Sequence, residues 1–270
     1  MKYATVLKQE LIKLAENYGE KYIGSKYANP NEFKNSSLIF NCLSYSFQKD
    51  SWNAISKNNN YNARTKKKHA RAQTKDVLEM QSSNSSDVLA MNIFCHPDFT
   101  IWDGVKKLFQ VKDVTSINFG YKAKVDKIIN NKNRKDNTEI DIYLNENIFI
   151  ECKLTEKDFT SKNKDTVEQY SEFYNVFHVD QLVKTETHYK NYQLIRNILA
   201  ANQNNAQFIL ICDMRRPDLV NSFNQTVNCI KEEYFELRNN CKIIYWQNIF
   251  DEVGSELKMF LKDKYALNSY

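Results

Sequence analysis

Asp141, Glu151 and Lys153 are the residues of this sequence whose types and spacing best suit chemistry. Nine residues separate the two carboxylates, and Lys153 follows Glu151 by two positions. Carboxylate oxygens are preferred ligands of hard cations such as Mg²⁺, which proteins typically hold through one or two carboxylates plus water and substrate phosphate. A lysine beside them would stabilise negative charge that develops during a reaction. The three residues therefore suit a divalent cation with a negatively charged substrate held against it.

The residues around this trio alternate between apolar and polar side chains, which predicts two β-strands joined by a tight turn. If residues 145–147 form a three-residue turn, Leu144 lies opposite Ile148 and Asp141 lies opposite Glu151. Carboxylates directly opposite each other repel and destabilise a hairpin, so a cation between them would convert the repulsion into a binding site. A turn of two or four residues would separate them. The three-residue turn is preferred because it also places both apolar sets on one face.

The composition is that of a folded protein with one large domain, or a domain with an appendage. Of the 270 residues, 42% are hydrophobic and 13% aromatic, and the formal net charge is +5. Such a charge permits a polyanionic partner without requiring one. The six cysteines show no CxxC pair, no signal peptide is evident, and no apolar run approaches the length of a membrane span. We therefore expect a reduced, cytoplasmic protein without a membrane association.

The elements that would position the trio can be read from hydrophobic periodicity. We predict a first helix that ends at Gly19, a helix over 38–47 and a strand over 114–125 that precedes the hairpin. Further elements are predicted at 86–94 (helix), 105–109 (helix), 168–177 (helix), 187–203 (helix), 208–212 (buried strand), from Pro217 (helix), 243–246 (strand) and 253–261 (helix). Meander strands followed by a crossover helix predict an α/β fold with a mixed central β-sheet and helices on both faces.

Two basic stretches, 57–75 and 127–138, are predicted to be loops. Each is either a solvated surface segment or an arm that grips phosphates. The second runs directly into the acidic hairpin and is therefore the more informative. The candidate nucleic-acid-binding residues are Lys66, Lys67, Lys68, Lys132, Arg134 and Lys135.

The spacing of Asp141, Glu151, Cys152 and Lys153 resembles the motif of the PD-(D/E)XK nuclease superfamily. The order of helix, three strands, helix and strand around the motif is also similar to the core of that superfamily. Within it, the segments SSDVLAMNIF, EIDIYL, IFIECKLTE, NYQLIRNILAA and FILICDMRRPDL resemble those of bacterial, type II-like restriction endonucleases. The resemblance covers about residues 79–246, and it departs from the pattern at Ile140, where the family carries a proline.

The resemblance implies a restriction-endonuclease-like core in residues 76–270, preceded by an N-terminal helical extension with a basic loop in residues 1–75. It implies that Asp141 and Glu151 bind Mg²⁺, with Mn²⁺ as an alternative, and that the carbonyl of Cys152 is a further oxygen ligand. Lys153 matches the lysine that orients or activates the attacking water.

Three further residues are supporting candidates, each with a structural alternative. Glu139 would pair with Lys153 or join a second metal site, or form an ordinary ion pair on the strand. Glu79 lies near the first core helix, where related nucleases sometimes carry another acidic residue. Gln193 would face the cleft or form hydrogen bonds at the edge of the core. Glu156 is a weaker candidate, for which a solvated position is preferred.

The expected function is a Mg²⁺-dependent DNA endonuclease of the restriction or defence type. The alternatives are a repair or recombination nuclease, a non-catalytic nucleic-acid-binding protein with a nuclease fold, and an unrelated α/β protein with an acidic hairpin. Duplex DNA is the expected partner, and symmetric double-strand cutting would favour a homodimer. Nucleotide hydrolysis is not supported because the sequence has no glycine-rich phosphate loop.

Overall fold

A computed structural model describes residues 2–29, 37–69 and 76–269. The strands in these residues are β1 (Ile117–Ile129), β2 (Lys132–Leu144), β3 (Ile148–Cys152), β4 (Ser161–Asn163), β5 (His188–Lys190), β6 (Gln207–Cys212) and β7 (Cys241–Tyr245). The central sheet has five strands in the order β1-β2-β3-β6-β7. β2 is antiparallel to both β1 and β3, and β3, β6 and β7 are parallel. The predicted mixed sheet is confirmed.

Helices cover both faces of this sheet. In the described residues they are α1 (Lys2–Tyr22), α2 (Lys49–Lys57), α3 (Asn59–Thr65), α4 (Ser86–Phe94), α5 (Asp103–Phe109), α6 (Lys164–Val167), α7 (Phe173–Val176), α8 (Tyr192–Gln203), α9 (Pro217–Val227), α10 (Phe235–Asn239), α11 (Trp246–Glu252) and α12 (Ser255–Tyr265). None of them combines the length and the apolar character needed to span a membrane. The helices at 105–109, from Pro217 and at 253–261 are confirmed within a few residues.

Two apolar clusters lie on opposite sides of the sheet. The α8-side core joins α7, α8 and α9 to the sheet and includes Leu194, Ile198 and Phe208. The α4-side core joins α1, α4, α5, α11 and α12 to the sheet and includes Leu11 and Trp246. β3 is buried at every position, as is nearly all of β6, which is expected for strands covered on both faces.

The hairpin has the predicted three-residue turn. Leu144 pairs with Ile148, and Ile142 pairs with Ile150. The ladder ends before Asp141 and Glu151 would pair, because the Asp141 carboxylate accepts a hydrogen bond from the Cys152 backbone N–H. The register prediction is confirmed, and the strand separates from its neighbour at the position of the carboxylates.

Along β1 and β2, successive apolar residues lie first in one core and then in the other, and the change occurs at one pair of positions. Ile142 lies in the α4-side core, whereas Ile140 lies in the α8-side core. In β1 the apolar residues leave the α4-side core after Phe119, at the same level of the sheet. The ladder contains no pair between Gly120 and Asp141. Gly120 has a φ of 63°, a conformation that glycine adopts without a steric penalty. The expectation that both apolar sets share one face is therefore wrong at Ile140, because both strands are kinked beside Asp141.

The basic stretch 127–138 is not a loop. β1 continues to Ile129 and β2 begins at Lys132, so the two strands are joined only by Asn130 and Asn131. Both residues have positive φ, of 51° and 57°. This is the conformation of a two-residue turn that matches the twist of a hairpin, and asparagine tolerates it well. The polar composition suggested a loop because this part of the hairpin is half exposed.

The N-terminal region also differs from expectation. α1 continues through Gly19 to Tyr22. Gly19 packs against the ring of Tyr27, since a Cβ there would lie 2.3 Å from that ring. Residues 38–47 form isolated bridges and a 3-10 turn instead of a helix, and α2 begins only at Lys49. In the basic stretch 57–75, α3 occupies Asn59–Thr65, and residues 70–75 lie outside the described residues.

Two further predicted helices are shorter in the structure than the sequence pattern indicates. The residues predicted as a helix over 168–177 contain the four-residue helix α7, and those predicted over 187–203 contain β5 followed by α8. The left-handed conformation of Asn191, with a φ of 55°, separates β5 from α8.

Candidate active site

Asp141, Glu151 and Lys153 meet in one polar cleft at the end of the β2–β3 hairpin. The cleft has a volume of about 250 Å³. It is lined by Arg64, Lys67, Glu79, Ser86, Asp87, Glu139, Asp141, Glu151, Cys152, Lys153, Glu156, Gln193 and Arg196. Every predicted catalytic, metal-binding and supporting residue therefore lies on this cleft.

Both carboxylate oxygens of Glu151 have a partner. Glu151 is 3% exposed, and its Oε1 lies 2.7 Å from Lys153 Nζ. Its Oε2 accepts a hydrogen bond of 2.9 Å from Nδ2 of Asn197 on α8. Asn197 in turn accepts a hydrogen bond of 2.9 Å from the Thr138 hydroxyl, which fixes the orientation of the amide. The sequence analysis did not identify Asn197, although it lies one helical turn after Gln193.

Lys153 is held both by its side chain and by its backbone. Its ammonium group donates to Gln193 Oε1 at 3.2 Å as well as pairing with Glu151. Its backbone N–H donates to the Ile211 carbonyl at 2.8 Å, and its carbonyl accepts from the Trp246 indole at 2.9 Å. Burial lowers the pKa of Lys153, but the carboxylates around it outweigh burial and raise the pKa above its ordinary value. The side chain is therefore a cation at neutral pH.

Asp141 is a half-buried carboxylate on the cleft, without an ion-pair partner in the described residues. Burial raises its pKa well above the ordinary value, and the nearby charges of Glu151 and Asp87 raise it further. Such a carboxylate would gain stability from a cation placed between it and Glu151. Across the described residues, no group of three or more His, Cys, Asp or Glu side chains could hold a metal by itself. Two carboxylates, a backbone carbonyl, water and substrate phosphate fit Mg²⁺, which usually keeps several waters.

Arg64 organises the other wall of the cleft. Its guanidinium donates to Asp87 at 2.9 Å and to Glu139 at 2.5 Å, so it joins α3 to both α4 and β2. Glu139 also pairs with Lys122, and not with Lys153. Although burial raises the pKa of Glu139, these two cations lower it to about 2. Sequence reasoning missed Arg64 and Asp87 because both lie far from the motif along the chain.

The remaining supporting candidates have local partners. Glu79 forms an ion pair of 2.9 Å with Lys67 at the edge of the cleft. Glu156 accepts hydrogen bonds from the Ser86 hydroxyl at 2.5 Å and from the Leu154 backbone N–H at 2.6 Å. Glu156 is thus tied to the loop after Lys153 and to the start of α4, and the preferred solvated position is wrong.

Of the predicted nucleic-acid-binding residues, Lys67 alone lines the cleft. Lys66 and Lys68 are exposed beside it in sequence. Lys132, Arg134 and Lys135 are exposed on the far part of the β1–β2 hairpin, and Lys135 pairs with Asp126.

The five-stranded mixed sheet, its helices and a carboxylate–lysine cleft at a hairpin define a restriction-endonuclease-like protein. A family model described as Restriction Endonuclease associating with ARP matches residues 13–266. The chain therefore belongs to this restriction endonuclease family. The match extends beyond residues 79–246 in both directions, so it includes residues 13–22 of α1. No curated protein and no solved structure gives a significant match.

Proposed function

We propose that this chain is a Mg²⁺-dependent DNA endonuclease of the restriction or defence type, with Asp141, Glu151 and Lys153 as its catalytic residues. The observation that carries the proposal is the half-buried Asp141 carboxylate, which lies beside Glu151 and lacks an ion-pair partner in the described part of the chain. Membership of a restriction endonuclease family supports nuclease chemistry. We also propose that the chain is a member of the PD-(D/E)XK nuclease superfamily.

Asp141, Glu151 and the carbonyl of Cys152 would hold the Mg²⁺ ion, with Mn²⁺ as an alternative. When bound, the metal neutralises charge on the phosphate and makes a bound water a better nucleophile. Each oxygen of Asp141 and Glu151 has one or two lone pairs left beyond its present contacts, since a carboxylate oxygen accepts more than one contact.

Lys153 acts as a fixed cation. Burial lowers its pKa, but the carboxylates around it raise it, so the ammonium group keeps its proton near neutral pH. Held by Glu151 and Gln193, it donates hydrogen bonds to the attacking water or to the phosphate oxygens and stabilises their developing charge.

The test uses plasmid and single-stranded DNA, each incubated with Mg²⁺ and with EDTA. We expect the wild-type protein to cut DNA only with the metal, and Asp141→Asn or Lys153→Ala to lower the rate about 100-fold or more. Asp251→Asn and Lys107→Ala make the same changes at exposed positions and should cut at the wild-type rate. Circular dichroism checks that each variant is folded.

Wild-type cleavage by either site variant would refute the site assignment. The non-catalytic alternative predicts a different result: duplex DNA is bound with an affinity that falls steeply with salt, but it is never cut with either Mg²⁺ or Mn²⁺.

A further inference from the structure

The far part of the β1–β2 hairpin carries a large share of the net positive charge of the protein. Residues 122–139, which we call the basic arm, contain six Lys or Arg residues and three Asp or Glu residues, a net charge of +3. The whole chain of 270 residues has a net charge of +5. The arm also contains four asparagines, at 130, 131, 133 and 137.

The two faces of the arm differ in burial. One face carries Ala123, Val125 and Thr138, which are buried against the side of the sheet that α8 covers. The opposite face is formed by the register pairs Lys122–Glu139, Lys124–Asn137, Asp126–Lys135 and Ile128–Asn133. Its lysines and asparagines are exposed. Strands usually favour β-branched and aromatic residues, so a strand face of lysine and asparagine needs a reason other than packing.

Some cations of the arm are neutralised within the arm and others are not. Ion pairs join Lys122 to Glu139, Lys127 to Asp136 and Lys135 to Asp126. In the described residues, Lys124, Lys132 and Arg134 form no ion pair. Lys124 lies on the exposed face, whereas Lys132 and Arg134 belong to the alternate pairs Ile129–Lys132 and Lys127–Arg134 and are exposed near the turn. All three side chains are available to a polyanion.

The exposed face is continuous with the candidate active site. Glu139 forms the first pair of the arm and also lines the cleft that contains Asp141. From Lys122 to Ile128 the strand advances about 20 Å, at roughly 3.3 Å per residue. This length corresponds to about six base pairs, at roughly 3.4 Å per base pair.

We propose that the exposed face of the basic arm lies in the major groove of duplex DNA and selects the bases next to the cut. The inference rests on the proposed function and adds to it a surface that determines specificity. A two-stranded ribbon fits the major groove, where lysine recognises guanine and asparagine recognises adenine. Lys124 and Asn137 form the base-reading pair, and Lys132 and Arg134 near the turn contact phosphates, which position the protein without reading sequence.

The length of the arm and the shape of the groove define two properties of the substrate. The bases that matter lie within about six base pairs of the cut, because the arm reaches no further. The substrate is duplex DNA, because the major groove of duplex RNA is too deep and narrow for side chains to read.

The experiment compares Lys124→Ala/Asn137→Ala with the control Lys107→Ala/Asn224→Ala, which removes the same groups from exposed positions on α5 and α9. Binding is measured by fluorescence anisotropy in the Asp141→Asn background, with short mixed-sequence duplex DNA, duplex RNA and single-stranded DNA as probes. We expect the arm variant to weaken binding to duplex DNA about ten-fold or more, and the control to bind as the parent does. Lys132→Ala/Arg134→Ala should reduce the slope of log affinity against log salt by about two.

Cleavage-end sequencing with the otherwise wild-type protein tests base selection. We expect a preferred sequence near the cut that Lys124→Ala/Asn137→Ala relaxes. Unchanged binding and unchanged cut sites in the arm variant would overturn the inference, even if the protein is a nuclease. Equal affinity for duplex RNA and duplex DNA would also overturn it. If the arm variant loses duplex binding but the wild-type protein never cuts DNA, the proposed catalytic function fails, and the proposed binding of duplex DNA by the basic arm is supported.

Discussion

At the scale of residues, the candidate site is a set of buried side chains that hold one another in place. Thr138, Asn197, Glu151, Lys153 and Gln193 form one chain of hydrogen bonds and an ion pair. Four of the five are buried, and a buried polar group without a partner costs about 1–3 kcal/mol. The Glu151 carboxylate therefore has one orientation, which is what a metal ligand requires.

Asn197→Ala tests this positioning role. The substitution removes the hydrogen bond to Glu151 Oε2 and leaves the carboxylate held by Lys153 alone. We expect the affinity for Mg²⁺ or Mn²⁺, measured by titration calorimetry without DNA, to fall about 10- to 100-fold, as when other outer-shell partners of metal ligands are removed. Asn202→Ala on the same helix is the control. A wild-type metal affinity in Asn197→Ala would show that Asn197 only packs.

At the scale of elements, two helices on opposite faces of the sheet fix the backbone that follows Lys153. Trp246 at the start of α11 donates to the Lys153 carbonyl. Arg216, which is fully buried before α9, donates to the Leu154 carbonyl at 2.9 Å and is itself held by Asp218. The ends of β3 and β6 are thus joined where the chain leaves the sheet at Lys153.

Asp218→Asn should show a pH-dependent loss of stability. Burial raises the pKa of Asp218, but the guanidinium of Arg216 outweighs burial and lowers the pKa below its ordinary value of 3.8. A carboxyl group whose pKa is lowered in the folded protein contributes its full stabilisation at pH values above its ordinary pKa. This contribution is lost as the pH falls through the lowered pKa. We expect a loss on the order of 1 kcal/mol, since solvent screens the partly exposed pair.

Urea unfolding of the wild-type protein and Asp218→Asn at several pH values measures this difference. The difference in the free energy of unfolding should be constant from neutral pH to about pH 5 and should close below pH 4. A difference that stays the same at every pH would assign the effect to lost hydrogen-bond geometry, and not to the charge. Asp251→Asn, at an exposed site, should show no difference.

At the scale of the whole molecule, the N-terminal helix is part of the core. Leu7 and Leu11 of α1 are buried in the α4-side core together with Ile142 and Trp246. Arg215 also pairs with Glu10 at 2.8 Å, so polar contacts tie α1 to the end of β6. The division into residues 1–75 and 76–270 stays a prediction.

Leu11→Ala tests whether α1 unfolds with the sheet. Leu11 is fully buried, so its truncation should lower the free energy of unfolding by about 2–5 kcal/mol. Val6→Ala is the control on the same helix, because Val6 is 55% exposed and should change stability by no more than about 0.5 kcal/mol. One cooperative transition at lower denaturant is expected. An early separate transition in Leu11→Ala would instead show that the N-terminal region is an independent unit.

The sequence by itself determined the local features of the site. Period-two alternation and a three-residue turn placed Asp141 and Glu151 near each other, and the apolar run 208–212 identified the buried strand beside them. These predictions were within reach because strand register depends on neighbouring residues and on turn length. The predicted loop at 127–138 was wrong, because a half-exposed hairpin with an asparagine turn has the composition of a loop.

Only the tertiary structure decided which distant residues complete the cleft. Arg64, Asp87 and Asn197 lie on three different helices. Arg64 and Asn197 contact the hairpin through their side chains, and Asp87 is joined to it through Arg64; no local pattern encodes these contacts. The kink at Gly120 and Asp141 is also a tertiary feature, since it appears only where two strands and two apolar cores meet. Sequence periodicity is a property of one segment, whereas the charge balance of a buried site depends on every segment packed around it.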